Sequence, residues 1–139
     1  MTLRGSAAEG ILLKMLLQNG IEAEHGSPSR PGDIIVPPNV IIELKDTINS
    51  SYSFKEHSGK GEAQLITLRG KVEQFPWIEV FYVVRFRRKD WRYYPIPESP
   101  GPLRLKDGRP IAHLMDMLKE KQALLANALR ESAVSQSQI

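Results

Sequence analysis

Apolar positions along the chain recur at helical spacing in some stretches and run or alternate at strand spacing in others, the pattern of a mixed α/β domain. Ile11, Leu12, Met15 and Leu16 form a helical stripe that stops at Asn19-Gly20, and Ser6 and Glu9 have the spacing of a capping box, so a first helix is predicted to begin near Ser6. A short strand is expected over 21–25. Residues 26–32 hold glycines, prolines and serines and read as a loop. Residues 33–36, the turn Pro37-Pro38-Asn39 and residues 40–45 read as strand, turn, strand. Residues 46–61 are rich in Ser, Asn, Gly and His and are expected to be an exposed loop carrying Tyr52 and Phe54. From Glu62, the spacing of Leu65, Leu68, Val72 and Phe75 predicts a second helix, weakened by Gly70 and ended by Pro76. Residues 77–87 are β-branched and aromatic, Asp90 marks a turn, and 91–96 return as the second strand of a hairpin limited by Pro95 and Pro97. Pro110 then starts a helix over 111–131 with Ile111, Leu114, Met115 and Leu118 on one stripe, continued by Leu124, Leu125, Ala128 and Leu129. The predicted order is α-β-β-β-α-β-β-α. One domain is expected over 1–131, with a disordered polar tail over 132–139.

Composition narrows the function classes. The 139 residues are 41% hydrophobic and 25% charged, enough for one packed core and unlike a disordered chain. The longest apolar stretch, 78–86, is interrupted by Glu79 and Arg85 and falls short of the roughly 20 residues that a membrane-spanning helix needs. No apolar leader is visible at the N-terminus. The absence of cysteine removes disulfide scaffolds, zinc-thiolate sites and thiol nucleophiles, and an intracellular, cytoplasmic protein is expected. Net charge is only +3, but it is unevenly placed. Arg85, Arg87, Arg88, Lys89 and Arg92 stand against Asp90 alone, interleaved with Phe86, Trp91, Tyr93 and Tyr94. That composition suits either a solvated hairpin face or a phosphate-contacting surface. The histidines His25, His57 and His113 have no metal-ligand spacing and are expected to be structural or solvated.

The candidate chemistry lies in the second pair of strands. Glu43 and Lys45 are two apart on a strand and share a face, while Ile42 and Leu44 point to the other. Asp33 opens the preceding strand, a turn away, so its carboxylate can converge with Glu43 to hold a divalent cation through hard oxygen ligands. Lys45 would then orient or polarise a water, which is the logic of metal-assisted phosphodiester hydrolysis. Glu-x-Lys by itself arises by chance about once in every two chains of this length. The upstream Asp33 and the apolar strand context around both acids sharpen it. The structural alternative is an ion pair between Glu43 and a basic neighbour, which carries a desolvation cost on an otherwise apolar strand.

Gly32-Asp33 followed by Ile41-Ile42-Glu43-Leu44-Lys45 resembles the PD-(D/E)xK motif of the restriction-endonuclease-like nucleases. With Arg4-Gly5-Ser6-Ala7-Ala8-Glu9 leading into an apolar helix and the Ser/Gly/Pro loop before the motif, the chain is more narrowly similar to the archaeal-type Holliday junction resolvases, over about two thirds of its length. The resemblance implies a restriction-endonuclease-like core, a central mixed β-sheet flanked by helices, here with an added C-terminal helix. It implies Asp33, Glu43 and the Leu44 carbonyl as magnesium ligands, manganese being able to substitute, and Lys45 as the residue that positions water. Glu9 matches the carboxylate that the family places on its first helix beside the metal, which makes it a catalytic candidate, with capping at Ser6 as the structural alternative. The family's loop serine corresponds to Ser27 or Ser29, with Ser27 slightly favoured because it follows a short strand and a glycine. Gln64 is a candidate polar neighbour. Two features depart from the family: Gly10 stands where relatives carry a basic residue, and the loops between Glu9, Asp33 and Glu43 are short.

The function so implied is resolution of four-way DNA junctions by a homodimer making paired symmetric nicks. Arg4, Ser29, Arg30, Lys55, Lys60, Arg69, Arg85, Arg87 and Arg88 would contact DNA. Leu65, Leu68, Phe75, Trp77 and Phe81 are candidates for the dimer surface and equally good as core. A flap or nick nuclease with the same site, or a noncatalytic DNA-binding relative, are the competing readings.

Overall fold

The computed structural model describes residues 3–27, 32–55 and 60–137. Its elements in chain order are α1 (Leu3–Gln18), β1 (Glu24–His25), β2 (Ile34–Val36), β3 (Val40–Thr47), β4 (Ser51–Tyr52), α2 (Lys60–Gln74), β5 (Glu79–Phe86), β6 (Asp90–Pro95), β7 (Leu103–Arg104), β8 (Arg109–Pro110) and α3 (Ile111–Ser137). The main sheet has the order β1-β2-β3-β5-β6-β8. Only β3 and β5 run parallel, joined by the α2 crossover; the other pairs are antiparallel, so the sheet is mixed, as expected. Among the described residues no helix is long and apolar enough to cross a membrane.

Period-two alternation along β3 and β5 divides the interior into two cores. Ile42 and Leu44, with Phe81, Val83 and Tyr93, face Ala8, Leu12 and Leu16 of α1 and Leu114, Met115 and Leu118 of α3. Ile41, Val80, Tyr82, Val84 and Phe86 face Leu65 and Leu68 of α2 together with Tyr52 and Phe54. Glu43 and Lys45 fall on this second face by the same alternation, opposite Tyr82 and Val84 in the register. Leu65, Leu68 and Phe81 are therefore core and not dimer surface, whereas Ile66 and Trp77 are exposed.

Three expectations are corrected. Helix α1 starts at Leu3, so Ser6 lies inside it and is not its N-cap. The segment after β3 is not simply an exposed loop: Ser51–Tyr52 pairs with Leu103–Arg104, and the Tyr52 and Phe54 rings are buried edge to face at 5.4 Å. Polar composition hid two aromatic anchors that together fill the space between α2 and the sheet. Gly61 lets α2 approach this close, since a Cβ there would lie 3.0 Å from the Phe54 carbonyl oxygen. Helix α3, finally, continues beyond Glu131 to Ser137.

Lys121 and Gln122 are side chains late in α3 that join it to the body by polar contacts. Lys121 pairs with Glu79 at 2.5 Å. Gln122 accepts from the Glu22 N–H at 2.9 Å and donates to the carbonyls of Glu22 and Pro37 at 2.9 and 2.8 Å. Residues 123–136 are exposed throughout. A chain ending after Gln122 is expected to unfold within a few degrees of the full-length protein, because the removed turns bury nothing in the monomer. Leu118→Ala is expected to cost about 2–5 kcal/mol, the range for emptying a packed core position. Thermal and urea unfolding of both variants checks this.

Candidate active site

The β2–β3 ladder ends where Asp33 donates its N–H to the Ile42 carbonyl at 2.9 Å. Beyond that point the two strands part, and side chains take over the hydrogen bonding. The Leu44 N–H donates to Asp33 Oδ2 at 2.7 Å, and the Gly32 N–H donates to Glu43 Oε1 at 2.8 Å. Each acid thus satisfies a backbone donor on the other's strand. Gly32 has φ +112°, a left-handed backbone that glycine adopts without strain, and a Cβ there would lie 2.8 Å from an Ile41 methyl. The Gly-Asp pair is required by this geometry as much as by chemistry.

Lys45 closes the group. Its ammonium lies 2.9 Å from Glu43 Oε2, donates to Gln64 Oε1 at 2.5 Å and stands 6.0 Å above the Tyr52 ring. Glu43 and Lys45 side chains are only 2% and 10% exposed. The ion pair expected as the structural alternative therefore exists, and it coexists with the convergence of Asp33 and Glu43. Gln64, from the first turns of α2, is drawn into the cluster, which its sequence position at a helix start disguised. Tyr82 lies across from Glu43, and its buried hydroxyl has no hydrogen-bond partner among the described residues.

Burial and then the Glu43 charge push the Asp33 carboxyl up to about 7, with the Leu44 N–H and Lys45 opposing and Glu9 adding to the rise. Burial and the same acids raise the Tyr82 phenol as well. A buried and a half-buried carboxylate share one ammonium, and the Tyr82 hydroxyl beside them is a further buried polar group without a partner among the described residues. Hard oxygen donors from Asp33, Glu43 and the Leu44 carbonyl fit a small divalent cation that keeps several waters. Among the described residues no group of three His, Cys, Asp or Glu side chains is gathered for a metal, so water would complete the shell.

Glu9 approaches from α1 at the sheet edge, close enough for its charge to act on Asp33. Its Oε2 is engaged by His25 Nδ1, so His25 belongs to the neighbourhood of the site and is not merely solvated. The signal that could have found it is weak: a lone histidine on a two-residue strand whose partner lies on α1. Ser27 is exposed directly after Gly26, whose N–H donates to the Asp33 carbonyl at 2.9 Å. Ser29, Arg30 and the Arg4 side chain lie outside the described residues. Lys55, Lys60 and Arg88 are exposed. Arg69 donates to the Pro97 carbonyl at 2.8 Å, and Arg85 and Arg87 both grip Asp46 at 2.7 Å. Burial alone would raise the Asp46 carboxyl, but the Arg87 and Arg85 guanidinium groups hold it below the usual carboxylate range.

No protein-family model matches the sequence, and no curated protein matches it. Among solved structures the chain is similar to Hjc of Archaeoglobus fulgidus, a Holliday junction resolvase from an archaeal hyperthermophile, with a TM-score of 0.62. The two chains share a fold. Their sequence identity is 19%, over 81% of this chain and 96% of that one.

Asp33 supplies a signed pH prediction. Its carboxyl titrates higher in the folded chain than the unfolded 3.8, so the metal-free fold loses stability as pH rises from about 4 to about 7 and stays penalised above. Asp33→Asn keeps an acceptor for the Leu44 N–H and removes the charge. The variant is expected to melt several degrees above the parent at pH 8 in EDTA and level with it at pH 4. Equal melting temperatures at both pH values would show that the Asp33 charge carries no penalty.

Proposed function

We propose that this protein is a structure-specific endodeoxyribonuclease that resolves four-way DNA junctions by metal-dependent phosphodiester hydrolysis. The observation that carries the reading is the convergence of Asp33, Glu43, Lys45 and Gln64 on one point of a fold shared with a junction resolvase. Asp33, Glu43 and the Leu44 carbonyl would hold magnesium, or manganese in its place. When bound, such a cation offsets phosphate charge and lowers the pKa of water at the site. Lys45 holds the attacking water and stabilises the hydroxide through its ammonium, while Gln64 and Glu43 fix the direction of that ammonium. The orientation matters because Lys45 stands on a flexible stem, and two acceptors of different elements remove most of its freedom.

Substrate preference follows from symmetry and charge. Two opposed strands of a junction must be cut, and a two-fold homodimer with a site in each subunit does so. Ile66 and Trp77, 72% and 64% exposed, are the apolar residues available for the contact near α2. Lys55, Lys60 and Arg88 are exposed cations that can track phosphates without reading sequence.

The test mixes the protein with a labelled four-way junction and a matched duplex, with magnesium or EDTA, and resolves products on denaturing gels. Paired symmetric nicks confined to the junction and abolished by EDTA are expected. Cuts in flaps or duplex alone would move the activity to another nuclease of this fold, and binding without cutting would make it a DNA-binding relative. Glu43→Gln is expected to abolish cleavage with junction binding kept within a few-fold. Gln64→Ala is expected to slow cleavage about 10–100-fold at saturating junction, the scale for losing a group that orients a site residue. Loss of binding in parallel with cutting would instead indicate damage to the fold.

A further inference from the structure

We propose that the open cavity between the β5–β6 turn and the start of α1 receives one unpaired nucleotide of a DNA strand, its phosphate on Arg88 and Lys89 and its base against Trp91. The cavity holds about 670 Å³ and its lining includes Arg85, Arg87, Arg88, Lys89, Trp91 and the Asp90 carboxylate, which is paired with Arg92 at 2.8 Å, with Ala7 of α1 on the other side. The proposal rests on the nucleic-acid reading above and goes beyond it by naming the form of strand recognised.

The charges around this cavity have two separate duties. Arg85 and Arg87 are spent on Asp46, each with a hydrogen-bonded ion pair at 2.7 Å, and so act as a frame. Arg88 and Lys89, at the tip of the turn, remain exposed. Lys89 touches Ser50 Oγ at 3.1 Å, a neutral partner that leaves its charge uncancelled. Arg88 sits at φ +62°, and the Lys89 N–H donates back to the Phe86 carbonyl at 2.9 Å, so the turn carrying both cations is closed by its own backbone. Asp46 and Asp90 together leave the hairpin and its frame at a net +3 from five cations.

Trp91 supplies the second contact. It stands opposite Arg85 in the strand register, with the guanidinium carbon 5.8 Å from the ring centre, and is only partly buried against the α1 core. An indole held on one side by a cation and facing a cavity on another is a stacking surface with little freedom left to lose. A cavity of this volume takes a drug-sized ligand and hence one nucleotide, while a stacked base pair cannot leave its duplex to enter it. Base on aromatic ring with phosphate on cations is the chemistry by which single strands are held without sequence preference.

Trp77→Phe leaves Trp91 as the single tryptophan and allows a metal-free binding test in EDTA. A 20-nucleotide oligo-dT is expected to quench Trp91 fluorescence at roughly tenfold lower concentration than a blunt duplex of equal length, the scale of one stacked base. Arg88→Ala with Lys89→Ala should raise the half-saturating concentration of oligo-dT about as much. A matching measurement on the unaltered chain is photo-crosslinking of an oligonucleotide carrying 5-iododeoxyuridine, which is expected to label the peptide containing Trp91. Absence of quenching, equal quenching by duplex, or crosslinks confined to other peptides would overturn the proposal. A chain that quenches but cuts no junction loses the nuclease reading and keeps this site; one that cuts without quenching loses this site alone.

Discussion

Two carboxylates, one buried and one half-buried, at the parting of β2 and β3 are the constraint around which the structure is arranged. Asp33 and Glu43 could repel each other apart if their strands were free to slide, but each carboxylate is fastened to a backbone N–H of the opposite strand. Those same bonds stop the strands from sliding. The ladder therefore ends at a defined residue, Gly32 is forced into a left-handed backbone, and Lys45 is buried because its ammonium is the nearest relief for the acids. The unrelieved part of the cost appears as the upward shift of Asp33. Sites that bind cations commonly keep such a deficit in the free protein, since a fully neutralised pocket would gain nothing from the ion.

The parts of this arrangement that the sequence displays are the ones with short-range signals. Alternation along 40–45 puts Glu43 and Lys45 on one face with no knowledge of the fold, and the Pro37-Pro38-Asn39 turn brings Asp33 back beside them. The longer elements were legible for the same reason: periodicity is local, and only their ends shifted, whereas the two-residue strands β4, β7 and β8 carry no such signal. What escaped was whatever depends on a distant partner. Gln64 enters only through the family resemblance, because nothing local ties a residue near a helix start to Lys45, and the close approach at Gly61 is invisible without Phe54 beneath it. Tyr52 and Phe54 were masked by the polar residues around them, and the strand that pairs with Tyr52, Leu103–Arg104, lies more than a third of the chain away. His25 reaches Glu9 across the first loop, a pairing that no spacing rule describes.

The basic hairpin shows the same distinction in charge. Counted along the chain, Arg85 and Arg87 belong with Arg88 and Lys89 as one cluster. In space they separate into a pair that shares one carboxylate and a pair with no acidic partner among the described residues, because Asp46 at the end of β3 lies beside β5 in parallel register. Asp46 is adjacent in sequence to Lys45 but on the other face of the sheet, so one strand end delivers an ammonium to the acid site and a carboxylate to the hairpin. Local net charge is a poor guide to a binding surface for this reason: the useful cations are those whose partners are neutral.

Helix α3 raises the complementary question about apolar residues. Its first half presents Ile111, Leu114, Met115 and Leu118 to the body, and the same heptad spacing brings Leu125 and Leu129 to that stripe beyond Gln122. Leu124 and Leu129, each 62% exposed, stand in water at a cost that the monomer does not recover. The stripe has the pattern of a packed helix, and among the described residues it is exposed beyond Gln122. Gln122 resolves how the two halves coexist: its amide satisfies three backbone groups of two different loops and fixes the departure point of the helix. Stability of the body is thereby separated from whatever the projecting turns meet, and loss of those turns leaves the acid site and both cores intact.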